Sequence, residues 1–294
     1  MDKLSTKDLT VSEIPSDARS RGIELSIIIV DYKSQKYSLP LVADLQKRLK
    51  HLKFEIIIVD NNPSDNANKT FKKEFKGQDN IHVIKAKENK GYGSGNNLGV
   101  KNASGEYLLL LNPDTEIYDD AIEQMLDFLA RHSEVGALTC LLMQADGKNL
   151  QRDFFGNFQS LAGVTIKRWN KKNAQVDKSG EFFYVDMISG AAMMLRRDTY
   201  QKIGGFDENF FMYIEDDDLC RRITDLGCKN AVITTAKIIH FEGQSSNNFE
   251  KKKFYYKSQD YYWQKHYGSF KTALMKIIRS PYILVQKIRS ARQN

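Results

Sequence analysis

Leu25 to Val30, LSIIIV, decides the fold. The run is short, mostly β-branched and nearly all apolar, the pattern of a strand buried on both faces. It ends in Asp31. A helical stretch follows from about Leu39 to Leu52, and Phe54 to Val59, FEIIIV, then repeats the strand signal and ends in Asp60. Beyond it come the turn-rich Asn61-Asn62-Pro63-Ser64-Asp65, a lysine-rich helix and a third strand, Ile81 to Ile84. Two strand–helix–strand units this close together imply a parallel α/β sheet with right-handed crossovers. Ligands of such sheets sit beyond the carboxyl ends of the strands, where Asp31 and Asp60 stand. Either could be a cap or loop aspartate. Two at equivalent places favour ligand contact, since a carboxylate there can accept the N–H of a pyrimidine base or a ribose hydroxyl.

Asn89-Lys90-Gly91-Tyr92-Gly93-Ser94-Gly95-Asn96-Asn97-Leu98-Gly99 comes next. It lacks the Gly-Lys-Ser/Thr ending of a nucleotide-triphosphate loop, and it follows the third strand, not the first as a dinucleotide fingerprint would. Its glycines would let backbone approach a ligand closely, and its asparagines add amide donors and acceptors. Tyr107 to Leu111, YLLLL, is the clearest buried strand and runs straight into Asn112-Pro113-Asp114-Thr115. One carboxylate at a strand end, among other oxygen groups, suits Mg²⁺ or Mn²⁺ held jointly with a diphosphate. A helix then starts at Asp119 or Asp120. Asp120 and Glu123 have capping-box spacing, and Ile122, Met125, Leu126 and Leu129 form its buried face.

Residues 136–186 are less patterned. The aromatics of Asp153-Phe154-Phe155-Gly156-Asn157-Phe158 read as core packing before sugar stacking, and residues 167–180 read as an exposed loop. Ser189 to Gly227 is denser in chemistry, with two glycine pairs, an aromatic patch and four consecutive acids, Glu215 to Asp218. The acids open a short helix whose inward face is Leu219, Ile223 and Leu226, with Gly227 placed for a left-handed cap. Glu215 and Asp216 flank that face. Asp217 and Asp218 project away from it, four residues before Arg221 and Arg222, as solvated ion pairs. An inward carboxylate suits general-base chemistry. A last strand within Ala231 to His240 ends in His240, before Glu242-Gly243-Gln244-Ser245. That place suits a diphosphate or metal contact.

Bulk composition narrows the class. The chain has 294 residues, 41% of them hydrophobic, as in an ordinary globular protein. Three cysteines, Cys140, Cys220 and Cys228, lack metal-ligand spacing and read as structural thiols of a reducing compartment. The first 22 residues read as a mobile leader without a signal peptide's apolar core. No apolar run approaches the ~18 residues of a membrane span. The net charge of +7 equals the seven basic residues after position 264, Lys265, Lys271, Lys276, Arg279, Lys287, Arg289 and Arg292, which no acid accompanies. The neutral body speaks against nucleic-acid binding. In the tail, Phe270, Leu274, Ile277 and Ile278, then Leu284, Val285 and Ile288 beyond Pro281, follow at helical spacing. An apolar stripe with a basic polar side describes an interfacial helix on an anionic membrane. On this reading, removing residues 265–294 abolishes membrane binding and spares transfer to a soluble acceptor.

Taken together, LSIIIVDY, IIIVDNNPSD, NKGYGSGNNLGV, LLLLNPDTEI and above all SGAAMMLRRDTYQKIGGFDENFFMYIEDDDLCRR resemble one family, the inverting family 2 glycosyltransferases of GT-A fold, in particular bacterial rhamnosyltransferase-like members. The resemblance covers roughly residues 24–247. It implies an α/β, Rossmann-like fold with a mainly parallel central sheet flanked by helices, here followed by a basic amphipathic C-terminal helical extension. The expected division is a leader over 1–22, a GT-A domain over 23–250 and a membrane-associating tail over 251–294. Within the GT-A domain, the donor half is 23–118 and the acceptor and catalytic half is 119–250.

The resemblance also implies a nucleotide-diphosphate sugar donor and a divalent metal, Mg²⁺ or Mn²⁺. Asp60 matches the base-binding position, and Val30, Asp31 and Tyr32 lie where the nucleoside is held. Gly91, Gly93, Asn96, Asn97 and Asn112 fall on the donor side. Asp114 matches the metal-binding aspartate of an Asp-x-Asp motif whose first member is Asn112 here, and His240 matches a diphosphate or metal position. Asp216 matches the catalytic base, with Glu215 as its modulator. Gly190, Phe206, Phe211 and Tyr213 fall on the acceptor side. The implied reaction moves L-rhamnose from dTDP-L-rhamnose to a lipid-linked saccharide in bacterial cell-surface polysaccharide synthesis, at the inner face of the cell membrane. The alternatives are a UDP-sugar donor, such as UDP-galactofuranose, and a non-catalytic sugar-nucleotide-binding protein on the same scaffold.

Overall fold

The structure is a computed structural model describing residues 24–62, 67–161, 163, 180–241 and 249–291, with the side chains of 249–251 and 284–291 outside the description. The leader, the tip of the turn after Asn62, most of the 167–180 loop and Glu242 to Ser245 therefore lie outside the described residues.

The first apolar run is strand β1 (Leu25–Asp31) and its repeat is β2 (Phe54–Asp60), every residue of both buried. They pair in parallel from Leu25 opposite Phe54 to Asp31 opposite Asp60, so both aspartates leave the sheet at one end. Helix α1 (Gln35–Arg48) joins the two, α2 (Ala67–Glu74) leads to β3 (Ile81–Lys85), and α3 (Tyr92–Lys101) leads to β4 (Tyr107–Leu111). Then come β5 (Thr115–Ile117), α4 (Ala121–Arg131), β6 (Val135–Met143), β7 (Phe155–Gly156), β8 (Phe182–Val185), β9 (Met187–Ile188) and β10 (Ala192–Arg196). The described chain closes with α5 (Arg197–Lys202), α6 (Glu215–Asp225), β11 (Lys229–His240) and α7 (Phe249–Ala291).

One nine-stranded sheet runs β3-β2-β1-β4-β10-β6-β11-β5, with β8 also on β11. Strands β1 to β4 are parallel, as the βαβ pattern requires. The second half is mixed. Strand β10 runs antiparallel to both neighbours, and β6 and β11 run parallel to each other. Because β10 lies between β4 and β6, both halves share one sheet and one apolar core.

Local expectations fare unevenly. The apolar face of α4 is buried as its spacing requires. Its capping box does not form: Asp120 instead accepts a hydrogen bond from Gln124 at 2.6 Å. Phe154 is fully buried, so packing accounts for that ring.

The C-terminal helix departs most from expectation. Gly268 has φ 78° and ψ 173° and breaks it. Asp260 meets Lys276 at 3.1 Å and Arg279 at 2.7 Å. Residues 16 to 19 apart in one straight helix would stand about 24–28 Å apart, so the chain folds back into a helical hairpin. Its first arm docks on the body: Tyr262 and Trp263 are buried with Phe210, Ile214 and Met275. Among the described side chains, Lys265 pairs with Asp207 and Asp218, and Lys276 and Arg279 pair with Asp260. They do not form a free basic face.

Candidate active site

Asp216 sits in the first turn of α6, where four acids meet the positive end of the helix. Its Oδ2 accepts the Gly190 N–H at 3.2 Å and its Oδ1 the Asp217 N–H at 3.0 Å. The Gly190 carbonyl in turn accepts the Tyr92 hydroxyl at 2.6 Å. A Cβ on Gly190 would stand 3.1 Å from the Tyr92 ring, so glycine keeps that approach close. One residue on, the Ala191 carbonyl accepts the Asn112 N–H at 2.8 Å. Two hydrogen bonds, one from the Gly190 N–H to the Asp216 carboxylate and one between the Asn112 and Ala191 backbones, therefore tie the acid helix to the Asn112-Pro113-Asp114 strand end.

Burial first, opposed by its backbone hydrogen bonds, raises the Asp216 carboxyl above the ordinary aspartate range. Burial first, and the Asp216 charge second, raises both Glu215 and Asp217. Three adjacent carboxylates in a low-dielectric site resist ionising together. Glu215 Oε2 is buried with no hydrogen-bond partner. The chain enters this turn under strain, since Tyr213 and Ile214 have φ of 68° and 69°. For a β-branched residue that conformation costs about 1–2 kcal/mol. The apolar cluster of the C-terminal hairpin holds Ile214 there.

The outward acid pair of the sequence reading is not outward. Asp218 is fully buried, accepting from Arg222 at 2.8 Å as the spacing suggested, but also from Lys265 and His266, each at 2.8 Å. The docked hairpin covers the face that an isolated helix would show to water. Asp217 makes no ion pair with Arg221 but accepts from Gln159 Nε2 at 3.2 Å. Arg221 turns to Asp225 at 3.7 Å and lies over the Phe158 ring. Leu226 is 47% exposed, so Leu219, Cys220 and Ile223 make the inward face. Gly227, at φ 89°, is the left-handed cap expected.

At the other side of the site, His240 Nε2 lies 3.2 Å from Asp114 Oδ1 and 3.3 Å from Asn112 Nδ2. The antiparallel pairing of β5 with β11 brings them together. His240 Nδ1 lies 2.9 Å from Gln151 Oε1. In the tautomer that donates there, Nε2 carries the lone pair that a metal beside Asp114 would take, the arrangement that orients metal-bound imidazoles. Among the described residues no third His, Cys, Asp or Glu joins them. One carboxylate and one imidazole fit Mg²⁺ or Mn²⁺ only if a ligand diphosphate supplies further oxygens. Gln151 had no signal in the sequence, because only the return of β11 brings His240 to it.

The donor side is more internally bonded than expected. The Asp31 carboxylate accepts from Ser38 Oγ and the Ser34 N–H, at the start of α1. Asp60 accepts the Asn62 N–H at 3.1 Å and the Asn68 N–H at 2.9 Å, at the start of α2. Both are buried and orient the loops after their strands. Val30 is buried and Tyr32 is 48% exposed.

The glycines of the loop meet the protein itself. A Cβ at Gly91, whose φ is 101°, would stand 1.9 Å from the Phe211 carbonyl oxygen, and one at Gly93 2.8 Å from Phe206 Cβ. Asn97 donates to the Phe206 carbonyl and accepts the Tyr200 hydroxyl and Phe206 N–H, so its amide latches α3 to the acceptor-side loop. Asn96 donates to the Tyr92 carbonyl, and its buried Oδ1 has no partner. Phe206 is 2% exposed and packs edge-on against Tyr92 and Tyr200, so it offers no wall to an acceptor. Phe211 is half-buried and Tyr213 is 36% exposed.

The mostly parallel central sheet flanked by helices is the architecture that the resemblance to GT-A transferases implied. Residues 26–204, more than half the chain, match the family described as Glycosyl transferase family 2, and the protein belongs to that family. It is similar to the rhamnosyltransferase WbbL of Escherichia coli, at 26% identity over 78% of this chain and 87% of that one. It is similar to an N-acetylglucosaminyl-diphospho-decaprenol L-rhamnosyltransferase of Mycobacterium tuberculosis, at 24% identity over 65% of this chain and 67% of that one. Among solved structures, GalNAc-T7 with UDP, GalNAc and Mn²⁺ superposes with a TM-score of 0.62 at 14% identity, over 82% of this chain and 50% of that one. A mannosyltransferase of Pyrobaculum calidifontis in complex with GDP-Man and Mn²⁺ gives 0.56 at 14%, over 76% and 58%. The chain spans about half the length of these solved chains.

Proposed function

We propose that the protein transfers L-rhamnose from dTDP-L-rhamnose to a hydroxyl of a lipid-linked saccharide, inverting the anomeric centre. The observation that carries this reading is the pair of hydrogen bonds joining the Asp216 carboxylate to the Asp114 strand end through Gly190 and Ala191. They set a base with a raised pKa against a site fit for a diphosphate. Asp216 takes the proton of the acceptor hydroxyl as that oxygen attacks the anomeric carbon from the face opposite the diphosphate. The bond from that carbon to the diphosphate oxygen breaks, and its electron pair leaves with the diphosphate. Glu215 modulates the base, and Asp114 with His240 would hold Mg²⁺ or Mn²⁺. When bound, such an ion offsets charge on the leaving diphosphate.

The rhamnose donor and the diphosphate-lipid acceptor are supported by the names of the relatives, and the metal by the Mn²⁺ of the structural neighbours. No described helix is long and apolar enough to cross a membrane. Peripheral attachment at the inner face of the membrane therefore rests on the tail. There Phe270 is 83% and Ile277 68% exposed, with Leu274 between them on one stripe.

The test is a panel of nucleotide sugars with Mg²⁺ and Mn²⁺, read by thermal shift and by transfer. dTDP-L-rhamnose should give the largest shift and turnover, and Asp216→Asn should abolish transfer while binding donor. A preference for UDP-galactofuranose would replace the donor assignment. Turnover retained in Asp216→Asn would overturn the mechanism.

A further inference from the structure

The first arm of the C-terminal hairpin reaches the acid turn. Ser258 Oγ donates to the Met212 carbonyl at 2.8 Å, which fixes the seam between α7 and the loop before α6. Across that seam two aromatic pairs face each other, Phe211 with Phe254 at 5.0 Å between centroids and Tyr213 with Tyr255 at 6.2 Å. Tyr213, Phe254 and Tyr255 are 36, 42 and 40% exposed, so these rings are left out of the apolar core. The Tyr255 phenol is raised to about 12, by burial first and the Asp217 charge next. Tyr255 stands one helical turn before Gln259, whose Nε2 donates to Gln159 Oε1, so both belong to the face of α7 that reaches Asp217 through Gln159.

Asp217 is the polar member. Its partner Gln159 is locked, because Gln159 Oε1 accepts both Trp263 Nε1 at 2.9 Å and Gln259 Nε2 at 3.0 Å. The amide can only present its N–H to Asp217. A carboxyl group held by a single amide has capacity for further hydroxyl partners. Open rings beside a carboxylate are the complement of a pyranose, which has an apolar C–H face and a rim of hydroxyls.

We infer that Phe211, Tyr213, Phe254, Tyr255 and Asp217 form the subsite for the acceptor saccharide, half of it supplied by the C-terminal hairpin. The subsite deepens the transferase reading and rests on it. The test compares wild type with Tyr255→Ala, Tyr255→Phe, Phe254→Ala and Asp217→Asn. Octyl N-acetyl-β-glucosaminide serves as acceptor, the methyl glycoside as a saturation-transfer NMR probe, and dTDP thermal shift as the donor readout. Tyr255→Ala and Asp217→Asn should raise acceptor KM at least tenfold and erase the NMR signal of the bound glycoside. Tyr255→Phe, which keeps the ring, should raise acceptor KM less than Tyr255→Ala, and every dTDP shift should persist. Acceptor KM within twofold of wild type in all variants, or a wild type that binds dTDP but no glycoside, overturns the subsite. If wild type binds the glycoside, the variants do not, and wild type never turns donor over, the subsite stands and the transferase reading falls.

Discussion

Asp218 and His266 lie 2.8 Å apart, 48 residues distant in sequence, and join the acid helix to the C-terminal hairpin. Lys265 and Arg222 complete the cage around the same carboxylate. Burial alone would raise the Asp218 carboxyl, but the His266 bond and these cations hold it below the ordinary range. A buried, fully paired charge is costly to orphan, by about 3–5 kcal/mol. Removing residues 265–294 therefore does not isolate membrane binding. It strips Asp218 of two partners and removes Met275 from the cluster that holds Ile214. The truncated chain should unfold at lower denaturant and lose transfer even to a soluble acceptor. A truncation with wild-type stability and activity would contradict the docking.

Much of this was legible in the sequence. The apolar runs of β1, β2 and β4 announced a parallel half-sheet because each is short, continuous and closed by a polar residue. The conjunction of Asp114 and His240 followed from two strand ends. What the pattern could not show was the partner on each covered face. Asp217 and Asp218 read as solvated because helical periodicity describes one helix, whereas their environment belongs to α7. The glycines after Asn89 read as a ligand cradle because a missing side chain looks the same whether a ligand or Phe211 fills the space.

The raised carboxyls of Glu215 and Asp217 set the sign of a pH effect. A folded-state pKa above the unfolded value contributes stability at low pH that is lost as pH rises through the folded pKa. Wild type should therefore lose stability between about pH 4, the ordinary carboxylate value, and the raised values of these groups. Glu215→Gln removes one of the charges. It should melt higher than wild type at pH 8, by about 2–4 °C for each 1 kcal/mol relieved, with the difference vanishing at pH 4. Melting scans across pH check this, and a lower melting temperature at pH 8 would refute it.

Gln151 is a positioning residue for the proposed metal site through His240 Nδ1. Loss of such a partner typically weakens metal binding 10–100-fold. Gln151→Ala should shift the Mn²⁺ titration of the dTDP-dependent thermal shift by that factor. Gln151→Glu, which restores an acceptor, should recover most of it. Asp114→Asn should remove the Mn²⁺-dependent part of the shift altogether. Identical Mn²⁺ titrations in Gln151→Ala and wild type would remove Gln151 from the site.

The proposed membrane face can be separated from the fold by substitution where truncation cannot. Phe270 and Ile277 are 83 and 68% exposed, so neither is held by the hairpin packing. The interactions that hold the two arms run instead through Asp260, Arg279, Lys276 and Met275. Fully burying one large apolar side chain contributes about 1.5–3 kcal/mol. Phe270→Ser with Ile277→Ser should therefore weaken binding to vesicles of phosphatidylglycerol and phosphatidylcholine by at least tenfold. Melting temperature and transfer to octyl N-acetyl-β-glucosaminide should remain at wild-type values. Co-sedimentation with those vesicles measures the first and a soluble-acceptor assay the second. Vesicle binding unchanged in the double variant would place the membrane contact elsewhere in the chain.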